Sequence, residues 1–184
     1  MLLAVDIGNT NITLGLFDEE VLLFTARLAT DAKRTADQYA IDIKDILYLR
    51  GCRYETIEDA VICSVVPSVG KAVSNAISML CHIVPLNLGP GVKTGLNIKI
   101  DNPAQLGADL VAGAVGALHE YTMPCVIIDM GTATTVTVLD ESGAFLGLVQ
   151  HIEPDHERDL SRIFPCLESN AQPEEGGSFL FFSQ

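Results

Sequence analysis

The chain has 184 residues, 48% of them hydrophobic, and a formal net charge of −13. That apolar fraction is enough to bury the core of one domain or of two small ones. The negative charge disfavours nucleic acid and membranes as partners, because phosphate-bearing surfaces attract basic proteins. The five cysteines are scattered without a C-x-x-C pair, and because a strand-like run begins at Met1, we expect neither a leader nor a membrane-spanning segment. The sequence therefore predicts a cytoplasmic protein with free thiols.

The N-terminal stretch predicts a β-hairpin. An apolar run over residues 2–5 ends on Asp6, and an alternating run over residues 12–16 follows Gly8-Asn9-Thr10. The segment is typical of a type I′ turn. Gly8 would let a phosphate approach the main-chain N–H groups, an amide and a hydroxyl, and Asp6 could hold a metal ion or its water shell. For a single copy of this pattern, an ordinary hairpin is the competing interpretation.

The following elements predict an α/β layer architecture. A third strand over residues 20–28 completes an antiparallel meander, and helical periodicity follows over residues 36–51. Residues 59–67 form a short apolar run of the kind that lies inside a parallel sheet. A helix then begins at Pro67, and another short strand is predicted over residues 82–88. This order predicts a mixed sheet flanked by helices.

Two segments after this sheet are candidates for binding a substrate. Gly89–Gly95 is rich in glycine and contains one lysine, but its last glycine follows the lysine, unlike a P-loop. A surface turn and a substrate-side loop are equally good interpretations of it. Residues 105–121 have the alanine and glycine spacing of a tightly packed helix. Asp109 lies at or just inside the N-terminus of that helix, where capping is the favoured role by residue type alone.

The N-terminal pattern recurs over residues 124–139. An apolar strand again ends on an aspartate, Asp129, and a second alternating strand follows Gly131, Thr132 and Ala133. Asp6 and Asp129 are 123 positions apart, and the same offset brings Gly8 onto Gly131. Matching strands before and after both turns favour a duplicated fold, in which two like lobes each offer a phosphate-binding hairpin.

These segments together resemble the actin-like ATPase and sugar kinase superfamily, and within it the type III pantothenate kinases, also called the Bvg accessory factor family. The resemblance covers Met1 to about Gly147. It rests on five motifs: DIGNTN at Asp6–Asn11, SVVP at Ser64–Pro67, GPGVKTG at Gly89–Gly95, DNPAQLGAD at Asp101–Asp109 and DMGTATT at Asp129–Thr135. It implies a duplicated, ribonuclease H-like α/β fold of mixed five-stranded sheets flanked by helices. The first lobe would span residues 1–119, and an incomplete second lobe would begin over residues 120–147.

The resemblance also implies roles for individual residues. Thr132 of the second turn would bind ATP phosphates together with the whole first turn, namely Asp6, Ile7, Gly8, Asn9, Thr10, Asn11, Ile12 and Thr13. Pantothenate would contact Gly107, Ala108, Asp109 and Leu110, and Asp109 would act as the base that accepts the proton of the substrate hydroxyl. Asp129 would hold a monovalent cation, K⁺ or NH₄⁺, and Asp6 is a candidate ligand of Mg²⁺.

The implied reaction is the ATP-dependent phosphorylation of pantothenate to 4′-phosphopantothenate, the first step of coenzyme A biosynthesis, carried out by a homodimer. An alcohol is a poor nucleophile, so a positioned carboxylate that takes its proton assists the transfer. The scarcity of basic residues in the five motifs is consistent with a site that relies on backbone dipoles and cations.

Two features depart from the family pattern. The usual G-A-D-R sequence has Leu110 in place of arginine, and a tyrosine often found before the Asp-Asn-Pro segment is replaced by Ile100. A guanidinium that could pair with the pantothenate carboxylate is therefore absent at position 110. Lys93 is a candidate to take over that role.

The sequence also changes character after Gly147. Only 55 residues follow Asp129, less than half of what a full second lobe requires, and residues 148–184 are charged and interrupted by proline. We interpret this atypical segment as the product of a shifted reading frame and predict that it is poorly ordered. Its residues His151, Glu153, Asp155 and His156 are spaced like metal ligands, but a solvated tail is the favoured interpretation.

Three alternatives to an active pantothenate kinase remain open at this stage. The incomplete second lobe and Leu110 fit a catalytically inactive nucleotide-binding or regulatory protein of the same fold. Hairpins that recognise only phosphate fit a kinase for another small hydroxylated substrate equally well. The third alternative is a non-functional truncated product that exposes core surface and aggregates.

Overall fold

The structure is a computed structural model, and it describes residues 1–103, 106–130, 134–151 and 178–183. The chain forms two compact units: Met1–Val92 with Gly107–Asp109, and Lys93–Leu106 with Leu110–Gln184. The sequence analysis ended the first lobe at residue 119, whereas the second compact unit already includes residues 93–106. Apolar side chains of the segment before residue 107, such as Leu96 and Ile98, pack with the second sheet, and this explains the difference.

The first unit is a five-stranded sheet with two helices. Its strands are β1 (Leu2–Ile7), β2 (Asn11–Asp18), β3 (Val21–Ala29), β4 (Asp59–Ser64) and β5 (Leu86–Asn87), and its helices are α1 (Ala36–Leu49) and α2 (Pro67–Cys81). A short 3₁₀ turn spans Tyr54–Thr56. The order across the sheet is β3-β2-β1-β4-β5. Strands β1 to β3 are antiparallel, whereas β4 runs parallel to both β1 and β5. The predicted mixed sheet is confirmed.

Local sequence explains where the two helices begin and end. Thr35 and Gln38 form a capping box at the start of α1, and Gly51 follows its end with a φ of 71°. Pro67 occupies the first turn of α2, where its missing N–H costs no hydrogen bond. Each helix buries residues spaced three or four apart: Tyr39, Ile43 and Leu47 on α1, and Val69, Val73, Ala76 and Ile77 on α2.

One face of the first sheet carries the core of this unit. Alternate residues of β1 and β2 pack against α1 and α2, namely Leu3, Val5, Ile7, Ile12, Leu14 and Leu16. Because successive side chains of a strand point to opposite faces, Asp6 and Thr13 lie on the face away from these helices.

The strand predicted over residues 82–88 is much shorter in the structure, where β5 contains only Leu86 and Asn87. His82 ends α2 in the left-handed conformation with a φ of 59°. Pro85 has no N–H to donate to a neighbouring strand. Both residues keep the first half of the segment out of the sheet.

The second unit contains a helix and four described strands. These are α3 (Ala108–Glu120), whose first two residues group with the first unit, and β6 (Cys125–Met130), β7 (Thr134–Leu139), β8 (Phe145–His151) and β9 (Ser178–Ser183). The order is β8-β7-β6-β9, with β6 to β8 antiparallel and β9 parallel to β6. In the first sheet, β3, β2, β1 and β4 follow one another in the same order and with the same directions. The predicted duplication is therefore confirmed.

Residues 97–99, which precede α3, are hydrogen-bonded to strand β8 of the second sheet. Residues 97 and 99 exchange two main-chain hydrogen bonds with Phe145, and Ile98 pairs with Phe145 as an isolated parallel bridge. Lys99 Nζ lies 2.9 Å from Asp140 Oδ2. Phe145 itself is fully buried in the apolar cluster of this unit.

The prediction of a poorly ordered chain beyond residue 147 differs from the structure in two places. Residues up to His151 continue β8, and Ser178–Ser183 form β9 alongside β6. A run such as FLFF has high β-propensity and pairs with a strand whose edge would otherwise lack a partner. The remaining residues, 152–177, and with them Glu153, Asp155 and His156, lie outside the described part of the chain. No described helix is both long enough and apolar enough to cross a membrane.

Candidate active site

The turn between β1 and β2 consists of Gly8, Asn9 and Thr10 and is held from outside. The N–H group of Gly8 donates to the Asn11 carbonyl over 2.9 Å. Thr30, which directly follows β3, donates its hydroxyl to the Gly8 carbonyl over 2.8 Å and its N–H to the Thr10 carbonyl over 2.9 Å. The turn is therefore tied to a third strand as well as to its own two.

The backbone of this turn shows that the prediction of a type I′ turn is wrong. Such a turn needs two central residues with positive φ, and none of the three turn residues has one. The Gly8 N–H is already engaged, whereas the N–H groups of Asn9 and Thr10 donate no main-chain hydrogen bond within the described part of the chain. Those two exposed N–H groups are the donors that the turn offers to an anion.

Strand register places a carboxylate and a thiol side by side below this turn. Asp6 pairs directly with Thr13 of β2 on one side and with Cys63 of β4 on the other. Residues directly opposite each other in neighbouring strands share a face of the sheet. Asp6, Thr13 and Cys63 therefore lie together on the face away from α1 and α2.

The surroundings of Cys63 show that Asp109 belongs to the same site. The Cys63 side chain is buried. Burial raises the pKa of its thiol to about 12, with further contributions from the negative charges of Asp6 and Asp109. Asp6 and Asp109 are 103 positions apart in sequence, yet both act on one sulfur atom. The structure brings the predicted phosphate-side and acceptor-side carboxylates together.

Asp109 occupies the first turn of α3, one residue inside the start of the helix. The favoured capping role is therefore not the one observed, because a capping residue precedes the first helical residue. Gly107 lies against the Asp109 side chain: a Cβ atom at position 107 would collide with Asp109 Oδ1. The glycine of the predicted Gly107–Leu110 segment thus leaves room for the carboxylate.

The two positions that depart from the family pattern have an apolar role in the structure. Leu110 and Ile100 both pack against the buried cluster of the second unit, which includes Leu106, Ala114 and Phe145. Leu110 falls in the second unit and Asp109 in the first. At position 110 the leucine serves as a packing residue.

The second sheet repeats the aspartate–threonine pair of the first. Asp129 of β6 lies directly opposite Thr135 of β7, as Asp6 lies opposite Thr13. The Oδ1 atom of Asp129 is buried, and a buried carboxylate oxygen is a suitable ligand for a cation. No group of three potential metal-binding side chains occurs among the described residues. Thr132, the predicted phosphate ligand of this turn, lies outside them.

A groove of about 410 Å³ opens between β4, β5 and α2, with Ser64, Lys71 and Asn87 in its lining. Ile62 and Ser64 face the helices, since Ile62 belongs to the core and a Cβ at Gly70 of α2 would come within 2.9 Å of Ser64 Oγ. The sheet therefore separates this groove from Asp6 and Cys63, and we assign the groove no part in phosphate binding.

Sequence reasoning missed two residues of this site. The sequence analysis assigned no role to Thr30 and treated Cys63 only as one of five scattered cysteines. Neither has a local pattern that identifies it, since Thr30 acts through long-range hydrogen bonds and Cys63 through strand register.

The described fold matches a known class. The activator of the 2-hydroxyisocaproyl-CoA dehydratase from Clostridium difficile, solved with bound ADPNP, superposes with a TM-score of 0.50 at 16% sequence identity, covering 95% of this chain and 58% of that one. At this level of identity the likeness concerns the fold alone. Together with the two sheets of equivalent topology, it defines the actin-like ATPase fold.

Sequence comparison identifies the family within this class. A family model described as type III pantothenate kinase matches residues 2–150, so the chain belongs to the type III pantothenate kinase family. It is 43% identical over 143 residues to such a kinase from Bifidobacterium longum (strain DJO10A), covering 78% of this chain and 56% of the relative. It is 40% identical over 147 residues to the type III pantothenate kinase from Halalkalibacterium halodurans, covering 80% of this chain and 58% of the relative. The chain thus spans a little over half the length of these curated relatives.

Proposed function

We propose that the chain carries out the ATP-dependent phosphorylation of pantothenate to 4′-phosphopantothenate, the first step of coenzyme A biosynthesis. The observation that carries the proposal is that Asp109 groups with the unit of the Asp6 turn, where the charges of both carboxylates reach the Cys63 thiol beside Asp6. A carboxylate suited to activating an alcohol, in the same unit as the proposed phosphate-binding turn, supports the transfer of a phosphoryl group to an alcohol. Family membership supports pantothenate as the proposed acceptor.

Each residue of the site has a distinct task in this proposal. Asn9 and Thr10 donate their main-chain N–H groups to phosphate oxygens of ATP. Asp109 accepts the proton of the pantothenate hydroxyl as the phosphoryl group moves, which makes the oxygen a better nucleophile. Gly107 leaves the space that the Asp109 carboxylate occupies. The neutral Cys63 thiol lies next to the two carboxylates without adding a third negative charge.

Two kinds of cation fit the carboxylates of the sheets. Asp6 is the residue that would hold Mg²⁺, and Asp129, with its buried oxygen, is the residue that would hold K⁺ or NH₄⁺. Bound there, a cation supplies positive charge that offsets the phosphates. We further propose that Thr132 contacts phosphate, that Gly107 to Leu110 border the acceptor, and that the protein acts as a cytoplasmic homodimer.

An ADP-release assay with ATP, Mg²⁺, K⁺ and pantothenate tests the proposal. Replacing Asp109 by Asn is expected to lower turnover by about 10²- to 10⁴-fold, the usual contribution of a general base, while ATP binding persists. Asp45→Asn changes the same charge at an exposed position on α1 and serves as the control. Equal rates for wild type and Asp109→Asn would overturn the assignment of Asp109.

The alternative of an inactive nucleotide-binding protein is favoured by one specific observation, the apolar packing of Leu110 at the position where the family pattern has an arginine. Isothermal titration distinguishes the two. ATP binding without turnover in the presence of pantothenate and both cations would support the alternative, and turnover would exclude it.

A further inference from the structure

We propose that Arg27 supplies a protein-borne cation to the phosphate site, where its guanidinium binds phosphate oxygens of the nucleotide beside Asp6. This inference rests on the proposed function and extends it to a residue outside the five motifs. It assigns Arg27 a direct contact with the nucleotide phosphates and leaves the proton transfer to Asp109.

Strand register brings Arg27 to the site. Arg27 of β3 is the direct partner of Thr13, Thr13 is the partner of Asp6, and Asp6 is the partner of Cys63. These four residues form a line across four adjacent strands, which we call the polar row. Neighbouring strands lie about 4.8 Å apart, so Asp6 is about two strand spacings from Arg27. A long arginine side chain can pass over Thr13, a small residue, toward Asp6.

The burial pattern of β3 confirms the face on which Arg27 lies. Its neighbours Ala26 and Leu28 are partly buried against the core shared with α1 and α2, whereas Arg27 is exposed. The irregularity in the β2–β3 pairing falls between Leu16 and Phe17, so the Thr13–Arg27 pair keeps its register. Arg27 therefore shares the face of Asp6, opposite the two helices.

The negative charge around the proposed phosphate site favours a nearby positive side chain. Asp6 and Asp109 already place two carboxylates near Cys63, in a chain with a net charge of −13. A nucleoside triphosphate adds several more negative charges, which two free N–H groups and one divalent cation offset only in part. A guanidinium presents several donors in a planar fork and binds phosphate oxygens in pairs.

Arg27 is also free to take this role. The other described arginines have partners: Arg34 pairs with Asp42, Arg53 pairs with Glu55, and Arg50 lies over the ring of Phe24. Arg27 forms no ion pair with any residue that the structure describes. Its charge is thus available to a ligand.

Isothermal titration of the full chain with ATP and with adenosine, in the presence of Mg²⁺, tests the inference. We expect Arg27→Gln to raise the Kd for ATP by about 10- to 100-fold, as the loss of charged hydrogen bonds predicts, and to leave the Kd for adenosine unchanged. Arg27→Lys should recover part of the affinity. The dependence of ATP affinity on salt should become less steep in Arg27→Gln, because one phosphate contact is lost.

Arg53→Gln is the matched control, since it removes the same charge just before the 3₁₀ turn that contacts Met1, at the opposite end of β1 from the proposed phosphate turn. If wild type binds ATP and Arg27→Gln matches Arg53→Gln, the inference is wrong and the proposed function stands. If Arg27→Gln weakens ATP and adenosine equally, its effect is structural and the phosphate contact is excluded. If wild type itself binds no ATP, the proposed function fails and the inference fails with it.

Discussion

Asp6 on β1 and Cys63 on β4 are direct partners in a parallel strand pair, with their side chains on the same face of the first sheet. The pairing places a buried thiol beside a carboxylate, and Asp109 adds a second negative charge to the surroundings of the sulfur. A thiol in such a place stays protonated, because burial and both charges disfavour the thiolate.

The first prediction concerns the reactivity of this thiol. With a pKa of about 12, only about one Cys63 in 10⁴ is a thiolate at pH 8, against roughly a quarter for an ordinary cysteine. Iodoacetamide at pH 8 should therefore label the half-buried Cys52 and leave Cys63 unmodified until the chain is unfolded. Peptide mass spectrometry measures both sites in one sample. Equal labelling rates in the native protein would contradict the assigned surroundings of Cys63.

The second prediction tests the space that Gly107 provides. In Gly107→Ala the new Cβ collides with Asp109 Oδ1, so the carboxylate must move. We expect turnover to fall by about 10- to 100-fold, as misplaced catalytic groups generally cause.

Gly113→Ala is the control for this variant. Gly113 lies within α3, and a Cβ atom there meets nothing within 4 Å. It should raise the free energy of unfolding by about 0.5–1 kcal/mol through helix propensity and leave turnover unchanged. If both variants keep full turnover, Gly107 has no part in placing the carboxylate.

The third prediction concerns the anchor of the phosphate turn. Thr30→Val keeps the side-chain shape but removes the hydroxyl that donates to the Gly8 carbonyl. We expect a loss of about 0.5–1.5 kcal/mol in the free energy of unfolding, measured with urea, and weaker ATP binding by a looser turn. Thr25→Val, at an exposed position of β3, the strand that Thr30 follows, should change neither quantity. Thr30→Val and Thr25→Val with the same ATP affinity would show that the anchor is dispensable for binding.

The fourth prediction is a pH dependence in the second unit. Hydrogen bonds from the Ser142 hydroxyl, then from Lys99 and the Ala144 N–H, hold the pKa of Asp140 well below its usual range. Because the folded pKa is depressed, the ionised carboxylate stabilises the fold above pH 4, near its unfolded pKa of about 3.9, and this stabilisation is lost as the pH falls below that value.

Asp140→Asn should therefore be less stable than wild type at pH 7, and the difference should shrink below about pH 4. Urea midpoints between pH 7 and pH 3 measure it, with Asp45→Asn as an exposed control. A difference between wild type and Asp140→Asn that stays constant over this range would exclude the carboxylate network as its cause.

Much of the architecture could be predicted from local pattern. Alternating apolar residues predicted β1 to β3, and apolar residues at helical spacing predicted α1 and α2. The repeat of the Asp6 hairpin at Asp129 indicated the duplication that the two sheets confirm. The predicted end of the resemblance near Gly147 also agrees with the match to residues 2–150. These features depend on residues close together in sequence, where periodicity and turn chemistry are decisive.

Other features could not be predicted because they depend on distant partners. The short β5 reflects the end of α2 at His82, and β9 exists because it pairs with β6, more than fifty positions earlier. Leu110 appeared to be a lost substrate contact, but in the structure it packs in the second apolar cluster.

The sequence by itself determined that this chain has a hairpin with a polar, glycine-containing turn, a second copy of that hairpin, and a helix that begins next to an aspartate. Only the tertiary structure decided that Asp109 shares a site with Asp6, that Thr30 holds the turn, and that Arg27 lies in the polar row. The physical reason is that sequence pattern specifies which face of its own element a side chain occupies. Which side chains meet across elements is specified by strand register and long-range packing.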